Sequence, residues 1–200
     1  MKTDLHDEIV LDVAKLQRTI LHALRHDPWK YGLDLDDRGW TAIEHLLMAL
    51  RVVHFRWDSL AWGDVEAAIR EHSDRIQVEN GRIRASYGHS VSLSSPPALA
   101  VPPNELFHGT GIETLEVILR HGLQPIGRQF VHLTSDEAYA IHVSANRCNG
   151  VVLTVKASQA HAQGIGFRKA SDHVWLTLNI PPVFLNFPPR EAPRGDNSPP

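Results

Sequence analysis

Apolar residues recur every three or four positions through residues 7–25, which is the spacing of one face of an amphipathic helix. Pro28 follows soon after this pattern and predicts where the helix ends. A similar pattern starts at Trp40-Thr41 and predicts a second helix, and a third is predicted over residues 62–72. The chain is therefore expected to open with three helices.

A β-hairpin is predicted next. Alternating apolar residues flank Asn80-Gly81 in the segment RIQVENGRIRASY, and this dipeptide is a strong signal for a tight turn between two strands. Side chains two positions apart share one face of a strand, so Arg82 and Arg84 are expected on the same face. Three helices followed by a hairpin are the layout of a winged-helix module, although many such modules bind protein or nothing.

Short strands mixed with helices are predicted in the second half of the chain. The expected elements, in chain order, are strand 105–108, helix 112–120, strand 130–133, helix 135–146, strand 151–156 and strand 174–178. A mixed or antiparallel sheet is expected. Neither GxGxxG nor GxxxxGK[ST] occurs, so a nucleotide would not be held in the Rossmann or P-loop manner.

Two proline-rich segments divide the chain. SSPPALAVPP at 94–103 predicts an extended linker between a lobe of residues 1–93 and a lobe of residues 104–187. PPREAPRGDNSPP at 188–200 predicts a disordered tail. The predicted fold class is α+β in two lobes.

Composition and charge narrow the classes of protein. The 200 residues include 42% hydrophobic residues, 20 Lys and Arg and 23 Asp and Glu, for a net charge of −3. This balance excludes a histone-like basic tail and a highly acidic disordered chain. Nucleic acid would have to be bound through a few placed arginines rather than through overall charge.

The same sequence gives expectations about location. No apolar run approaches the roughly 18 residues that a membrane span requires. The N-terminal MKTDLHDEIV carries acidic residues where a signal peptide has a basic and then an apolar stretch. A cytoplasmic protein is expected.

Arg25 and His26 stand together at the predicted end of the first helix. Arginine offers a fork of N–H donors to a phosphate, and histidine offers a donor or a transferable proton near neutral pH. The pair could therefore grip a phosphate. The alternative is a surface arginine beside a histidine that interacts with the carboxyl end of the helix.

Small polar segments follow two predicted strands, namely Tyr87–Ser90 (YGHS) and His108–Thr110 (HGT). Glycine lets a ligand approach the backbone closely, so two such segments suggest a ligand cleft, although either alone is more often a turn. Arg128 precedes a strand that ends in His132–Thr134 (HLT), and its alternative interpretation is an edge-strand arginine. A solvated hairpin face would equally explain the arginines at 75, 82 and 84.

Thirteen histidines raise the question of a metal site. His22 and His26 are four residues apart on a helix and could face one ion. HExxH is absent, no carboxylate occupies a matching position, and Cys148 is the only cysteine, so we expect neither a zinc enzyme nor an intramolecular disulfide. A Ser-His-Asp hydrolase has little support because GxSxG is absent.

An ordered series of segments resembles the NAD-dependent RNA 2′-phosphotransferase family. The segments are LRHDPWKYGLDLDDRGW (24–40), RIRASYGHS (82–90), LFHGT (106–110), ILRHGLQPIGRQFVHLT (118–134), GVVLTVKA (150–157) and HVWLTLNIPPVFL (173–185). The resemblance covers roughly residues 14–187. A series of this length is far more specific than any single motif.

The resemblance implies an N-terminal winged-helix RNA-binding lobe and a C-terminal ADP-ribosyltransferase-like NAD-binding lobe. It implies transfer of an internal RNA 2′-monophosphate to NAD, as in tRNA splicing, through an ADP-ribosylated RNA intermediate. The expected products are 2′-OH RNA, nicotinamide and ADP-ribose 1″,2″-cyclic phosphate. The expected partners are therefore NAD, as co-substrate, and a tRNA-like RNA. No metal, no membrane and a monomeric state are also expected.

The resemblance also implies the site residues. By motif position, the family's essential Arg-His-Arg-Arg set falls on Arg25, His26, Arg75 and Arg128. Its NAD-contacting segments fall on Tyr87, Gly88, His89, Ser90, His108, Gly109, Thr110, His132, Leu133 and Thr134. Three positions depart from the family pattern: Ile76 replaces a phenylalanine, Tyr87 replaces a frequent glutamine, and Thr134 replaces a serine but keeps the hydroxyl.

Two other functions are open. One is an ADP-ribosyltransferase that modifies nucleic-acid phosphate ends or protein and stops after one step, although such an enzyme needs less phosphate-binding charge. The other is a winged-helix regulator that senses NAD. The second predicted helix, however, offers Glu44 and no lysine or arginine over Ala42–Leu50 to a DNA major groove.

Overall fold

The computed structural model describes residues 11–70, 74–147 and 149–188. Within these ranges the chain forms six α-helices and two antiparallel sheets, arranged as two compact units. The first unit comprises the described residues up to Ala98, together with Ile126–Gln129 and Ala170–Asp172, and the second unit comprises the rest. The first four residues of the helix predicted over 7–25, Cys148, and the tail from 189 onward lie outside the described residues.

The first unit contains three α-helices: α1 (Val13–Arg25), α2 (Ile43–Val53) and α3 (Trp62–Ile69). The Asp12 side chain caps α1 by accepting a hydrogen bond from the N–H of Lys15 at 2.9 Å. Leu16, Ile20 and Leu24 are fully buried along one face of α1, as the sequence pattern predicts. Burial of this face holds the helix against the rest of the unit.

The prediction that Trp40-Thr41 opens the second helix is wrong. Thr41–Ala42 instead form strand β1, and Thr41 pairs with Ile83. The helix starts at Ile43 because the backbone of Ala42 is extended, with φ −70° and ψ 143°. Sheet pairing, which a helical periodicity does not reveal, therefore decides where the helix begins.

The predicted hairpin is confirmed, with β2 (Ile76–Glu79) and β3 (Arg82–Ala85) joined through Asn80-Gly81. Both turn residues have positive φ, 49° and 71°, as the favoured two-residue hairpin turn requires. The sheet order is β1-β3-β2. Arg82 and Arg84 share a face, because the guanidinium carbons of both lie over the Trp40 ring, 6.0 and 4.6 Å from its centroid.

A six-stranded sheet forms the centre of the second unit, in the order β7-β8-β5-β4-β6-β9. Its strands are β4 (Leu106–Gly111), β5 (Val131–Thr134), β6 (Gly150–Val155), β7 (Phe167–Lys169), β8 (Val174–Thr177) and β9 (Leu185–Asn186). All neighbouring strands are antiparallel, which settles the alternative left open by the sequence.

The helices of this unit are α4 (Leu115–His121), α5 (Glu137–Ala145) and α6 (Ala157–Ala162). A 3₁₀ turn at Ile112–Thr114 replaces the start of the predicted fourth helix. The sequence pattern does not predict α6, β7 or β9. Helix α6 has six residues, fewer than two turns, and β7 and β9 have three and two residues, too few to show an alternation.

The proline-rich segment 94–103 forms no helix. Its only regular pairing among the described residues is an isolated bridge between Leu99 and Arg168 within the second unit. The division into lobes at this segment stays a prediction. No helix in the described part of the chain has the length and apolar character needed to cross a membrane.

Candidate active site

Arg25, the last residue of α1, is enclosed by the segment that follows β3. Its guanidinium carbon lies over the Tyr87 ring, 5.1 Å from the centroid. Gly88 has φ +89°, and a Cβ there would approach the guanidinium atoms to 3.3 Å. Position 88 therefore favours glycine, which has no side chain to displace the Arg25 guanidinium.

The same segment binds the backbone and side chain at the end of α1. The N–H of Ser90 donates to the carbonyl of Arg25 at 3.0 Å, and that of Val91 donates to the same oxygen at 3.4 Å. The Ser90 hydroxyl lies 3.0 Å from Nδ1 of His26. These contacts fix the orientation of both Arg25 and His26.

His26 is half-buried, and basic side chains act on it. Burial lowers the pKa of His26, and the nearby His22, Arg128 and Arg25 lower it further. The lowered pKa keeps this imidazole neutral near pH 7. Arg128, although distant in sequence, therefore contributes its charge at the end of α1.

Arg75 is joined to the same segment through the end of the hairpin. The N–H of Ser86 donates to the carbonyl of Arg75 at 2.9 Å, one residue before Tyr87. The Tyr87 hydroxyl donates to the carboxylate of Asp74 at 3.1 Å. The backbone of Arg75 is thus fixed beside the tyrosine whose ring lies against Arg25.

His89 is buried, and its surroundings are cationic. Burial lowers the pKa of His89 to about 4, with further lowering from Arg25, His26 and Arg84. Its Nε2 is buried and has no hydrogen-bond partner within the described residues. Its carbonyl accepts from the N–H of Gln129 at 3.1 Å, which joins the segment carrying Arg128 to the segment carrying His89.

His22, which the sequence offers as a possible metal ligand with His26, lies beside Tyr31 and His26. The Tyr31 hydroxyl lies 3.2 Å from Nδ1 of His22, and the His22 and His26 rings are 5.7 Å apart, centroid to centroid. Among the described residues, no three His, Cys, Asp or Glu side chains gather as metal ligands would.

The remaining predicted residues lie in the second unit. His108 Nδ1 is 2.9 Å from the carbonyl of His132, so this nitrogen carries the proton. Burial lowers the pKa of His108; the His132 carbonyl opposes this and Arg147 adds to it. A Cβ on Gly109 would overlap the carbonyl of Ala140, so Gly109 lets α5 pack on β4.

The side chains of three other residues that are predicted to contact NAD, namely Thr110, Leu133 and Thr134, contact neighbours within the second unit. The Thr110 hydroxyl lies 2.9 Å from that of Thr114. Thr134 Oγ1 accepts from the N–H of Asp136 at 3.1 Å. Leu133 is buried in the hydrophobic core, so a ligand could meet only its backbone.

Arg25, His26, Arg75, Arg128 and the Tyr87–Ser90 segment thus lie in the first unit, whereas His108–Thr110 and His132–Thr134 lie in the second. Asp74 and Gln129 also take part in the arrangement of the first unit, and sequence reasoning missed both. The available signal was position, since each is adjacent to an assigned arginine.

A family model described as RNA 2′-phosphotransferase, Tpt1 / KptA family, matches residues 12–179. The chain belongs to this family. It is 40% identical over 182 residues to a "Probable RNA 2′-phosphotransferase" of Acetivibrio thermocellus, covering 90% of this chain and 99% of the relative. It is 38% identical over 181 residues to a protein of the same name from Streptomyces griseus, covering 86% and 95%. The resemblance stated from the motifs is confirmed.

A third relative from Agrobacterium fabrum, also named "Probable RNA 2′-phosphotransferase", is 39% identical over 166 residues, or 82% of this chain and 88% of the relative. The RNA 2′-phosphotransferase family match therefore extends across both units rather than over one motif.

Proposed function

We propose that this chain transfers an internal RNA 2′-monophosphate to NAD, releasing RNA with a 2′-hydroxyl. The observation that carries the proposal is the arrangement of Arg25, His26 and Arg128 around the Tyr87–Ser90 segment of a 2′-phosphotransferase family member. Arg75 joins this group through the end of the hairpin. In the proposal, these three permanent cations and one neutral imidazole bind one phosphate together.

The charge of the substrate explains why such a site is useful. A phosphomonoester carries between one and two negative charges at pH 7 and presents three acceptor oxygens. Guanidinium forks bind such oxygens in pairs, while a neutral His26 can accept or pass on a proton. In the proposal, Arg25, Arg75 and Arg128 contact phosphate oxygens and His26 contacts the phosphate or protonates the leaving oxygen.

The polar groups predicted for NAD in the second unit are chemically suited to it. Because Nδ1 of His108 donates to the His132 carbonyl, Nε2 keeps a lone pair that can accept from a ribose hydroxyl. Burial keeps this histidine uncharged, as the pKa shift indicates. Bound NAD would supply an activated ribose carbon, because nicotinamide is a neutral leaving group.

Two steps complete the proposed reaction. In the first, a 2′-phosphate oxygen forms a bond to the anomeric carbon of the nicotinamide-bearing ribose while the bond to nicotinamide breaks. In the second, the oxygen of the adjacent ribose 2″-hydroxyl forms a bond to phosphorus while the bond from phosphorus to the RNA 2′-oxygen breaks. The neutral His26 accepts the proton that the 2″-hydroxyl loses and gives a proton to the leaving RNA 2′-oxygen. The products are 2′-OH RNA and ADP-ribose 1″,2″-cyclic phosphate.

The second step makes the greater demand on the arginines. Negative charge builds on the phosphorus oxygens in its transition state, where fixed cations contribute most, typically a few kcal/mol each. Loss of Arg128 should therefore slow the second step more than the first.

Helix α1 supports RNA as the substrate. Lys15, Arg18 and His22 follow one another on the face opposite the buried one, and the helix contains no acidic residue. This basic face ends at Arg25 and His26. A polyanion whose phosphate enters the site could continue along it, even though the net charge of the chain is −3.

The architecture fits the proposal at the level of each unit. Three helices with a small antiparallel sheet form the first unit, and we infer that it is a winged-helix RNA-binding lobe. We infer likewise that the six-stranded second unit is an ADP-ribosyltransferase-like NAD-binding lobe.

The decisive experiment incubates the protein with NAD and a short RNA that bears one internal 2′-phosphate, with the unphosphorylated RNA as control. We expect 2′-OH RNA and cyclic phosphate from the parent, and accumulation of ADP-ribosylated RNA with Arg128→Ala. An RNA that remains ADP-ribosylated with the parent protein would instead identify a one-step ADP-ribosyltransferase. Absence of any 2′-phosphate-dependent NAD consumption would overturn the proposal.

A further inference from the structure

Arg128, whose charge acts on His26 at the end of α1, belongs to a short excursion of the chain. Only Ile126–Gln129 belong to the first unit here, whereas the residues immediately before and after belong to the second. The Arg128 side chain is exposed, so little packing defines where it lies. Other contacts must therefore hold the Arg128 backbone against the rest of the first unit.

Gln129, the next residue, forms three hydrogen bonds to the backbone of the first unit. Its side-chain Nε2 donates to the carbonyl of Leu93 at 3.0 Å, and its Oε1 accepts from the N–H of Leu93 at 3.3 Å. Its own backbone N–H donates to the carbonyl of His89 at 3.1 Å. A side-chain amide that pairs with both polar groups of one peptide residue imitates a strand pairing and fixes one register.

The segment that Gln129 holds is the one that orients the other site residues. Ser90 binds the carbonyl of Arg25 and the imidazole of His26, and Gly88 makes room for the Arg25 guanidinium. Fixing residue 129 on this segment therefore fixes residue 128 relative to His26.

We propose that Gln129 is the positioning residue for Arg128, holding it beside His26 through its paired hydrogen bonds to Leu93. This inference rests on the proposed function for its effect on turnover, but its structural part can be measured without substrate. The charge of Arg128 acts at His26, so the protonation of His26 reports where Arg128 lies.

The test uses Gln129→Met, which keeps the length of the side chain and its neutrality but removes the amide. The matched control is Gln124→Met in the second unit, whose side chain makes a single hydrogen bond to the carbonyl of His121 at 3.1 Å. Gln129→Ala is a second variant that adds no bulk. Glutamate is avoided because a new negative charge would itself change the pKa of His26.

Histidine NMR of the protein without RNA or NAD is the first readout. We expect the pKa of His26 to rise in Arg128→Ala, to rise in the same direction in Gln129→Met and Gln129→Ala, and to stay unchanged in Gln124→Met. The double variant Arg128→Ala/Gln129→Met should titrate as Arg128→Ala does, because the glutamine then has no arginine to position. A His26 pKa unchanged in both Gln129 variants would overturn the inference.

Single-turnover kinetics with the 2′-phosphorylated RNA is the second readout. Displacement of Arg128 by about 1 Å should lower the rate of the second step by about tenfold or more, with the KM for NAD unchanged. Additive losses in the double variant would contradict a positioning role. If the His26 pKa shifts as expected while the parent shows no phosphotransferase activity, the positioning role stands and the proposed function fails.

Discussion

At the scale of single residues, the site depends on the absence of a side chain at Gly88. Its φ of +89° is a conformation that other residues adopt at a cost, and a Cβ would meet the Arg25 guanidinium at 3.3 Å. Gly164 in the second unit has nearly the same φ, +90°, but nothing lies within 4 Å of the Cβ position. The two glycines therefore separate backbone strain from displacement of Arg25.

Alanine substitutions at these two positions give a matched prediction. Gly88→Ala and Gly164→Ala should each lower the free energy of unfolding by roughly 1–2 kcal/mol, because each places a Cβ at positive φ. Only Gly88→Ala should also lower phosphotransferase turnover, by about tenfold or more, because Arg25 must move. Urea unfolding and turnover assays measure the two effects. Equal turnover in both variants would show that Arg25 is not held as described.

His89 gives a pH-dependent prediction for stability. Its pKa in the folded protein, about 4, is below the ordinary 6.5, so the unfolded chain binds a proton more readily. His89 therefore contributes to the free energy of unfolding above pH 6.5, and this contribution is lost as the pH falls from 6.5 towards 4. Between pH 7 and pH 5 this loss should be about 2 kcal/mol.

The measurement is urea unfolding of the parent and of His89→Gln at both pH values. The pKa values of His26 and His108 are also lowered, so these two histidines add pH dependence of the same sign to both proteins. The variant should lose about 2 kcal/mol less than the parent between pH 7 and pH 5. Equal losses would mean that His89 titrates normally in the folded protein.

At the scale of elements, α1 joins the hydrophobic core to the site. One face buries Leu16, Ile20 and Leu24, and the opposite face carries Lys15 and Arg18. Its periodicity predicted the buried face, whereas its exact start could not be predicted because capping by Asp12 depends on local backbone geometry.

RNA affinity should depend on the basic face of α1. Arg18→Ala should weaken binding of a short single-stranded RNA and reduce the slope of log affinity against log salt by about 0.7, the value for one phosphate contact. The control is Arg120→Ala on α4, an exposed arginine paired with Glu116 at 2.6 Å, which should leave the slope unchanged. Salt titrations of binding measure both, and an unchanged slope in Arg18→Ala would remove α1 from the RNA path.

The short elements explain most of what the sequence did not predict. Thr41 reads as part of a helix but pairs with Ile83, more than forty residues away, and no local pattern contains that partner. The hairpin, by contrast, was predictable because the conformation of Asn80-Gly81 is decided within the turn itself.

At the scale of the whole molecule, the site too combines features that a sequence pattern predicts with long-range contacts that it does not. Motif order alone predicted the family and named Arg25, His26, Arg75 and Arg128 as a group. Motif order also predicted that the Tyr87–Ser90 segment contacts NAD. It did not predict the hydrogen bonds between this segment and the end of α1. Those contacts, and the support from Gln129, depend on long-range geometry that a linear pattern does not contain.

The central claim is that this cluster of cations binds the 2′-phosphate of RNA, and binding without NAD tests it most directly. The measurement is the Kd of one short RNA with and without a single internal 2′-phosphate, for the parent and for Arg25→Ala. We expect the parent to bind the phosphorylated RNA about tenfold or more tightly, since charged hydrogen bonds to phosphate contribute at least about 1.4 kcal/mol. Arg25→Ala should lose most of this preference. Equal affinity of the parent for the two RNAs, or a preference that survives in Arg25→Ala, would contradict the account.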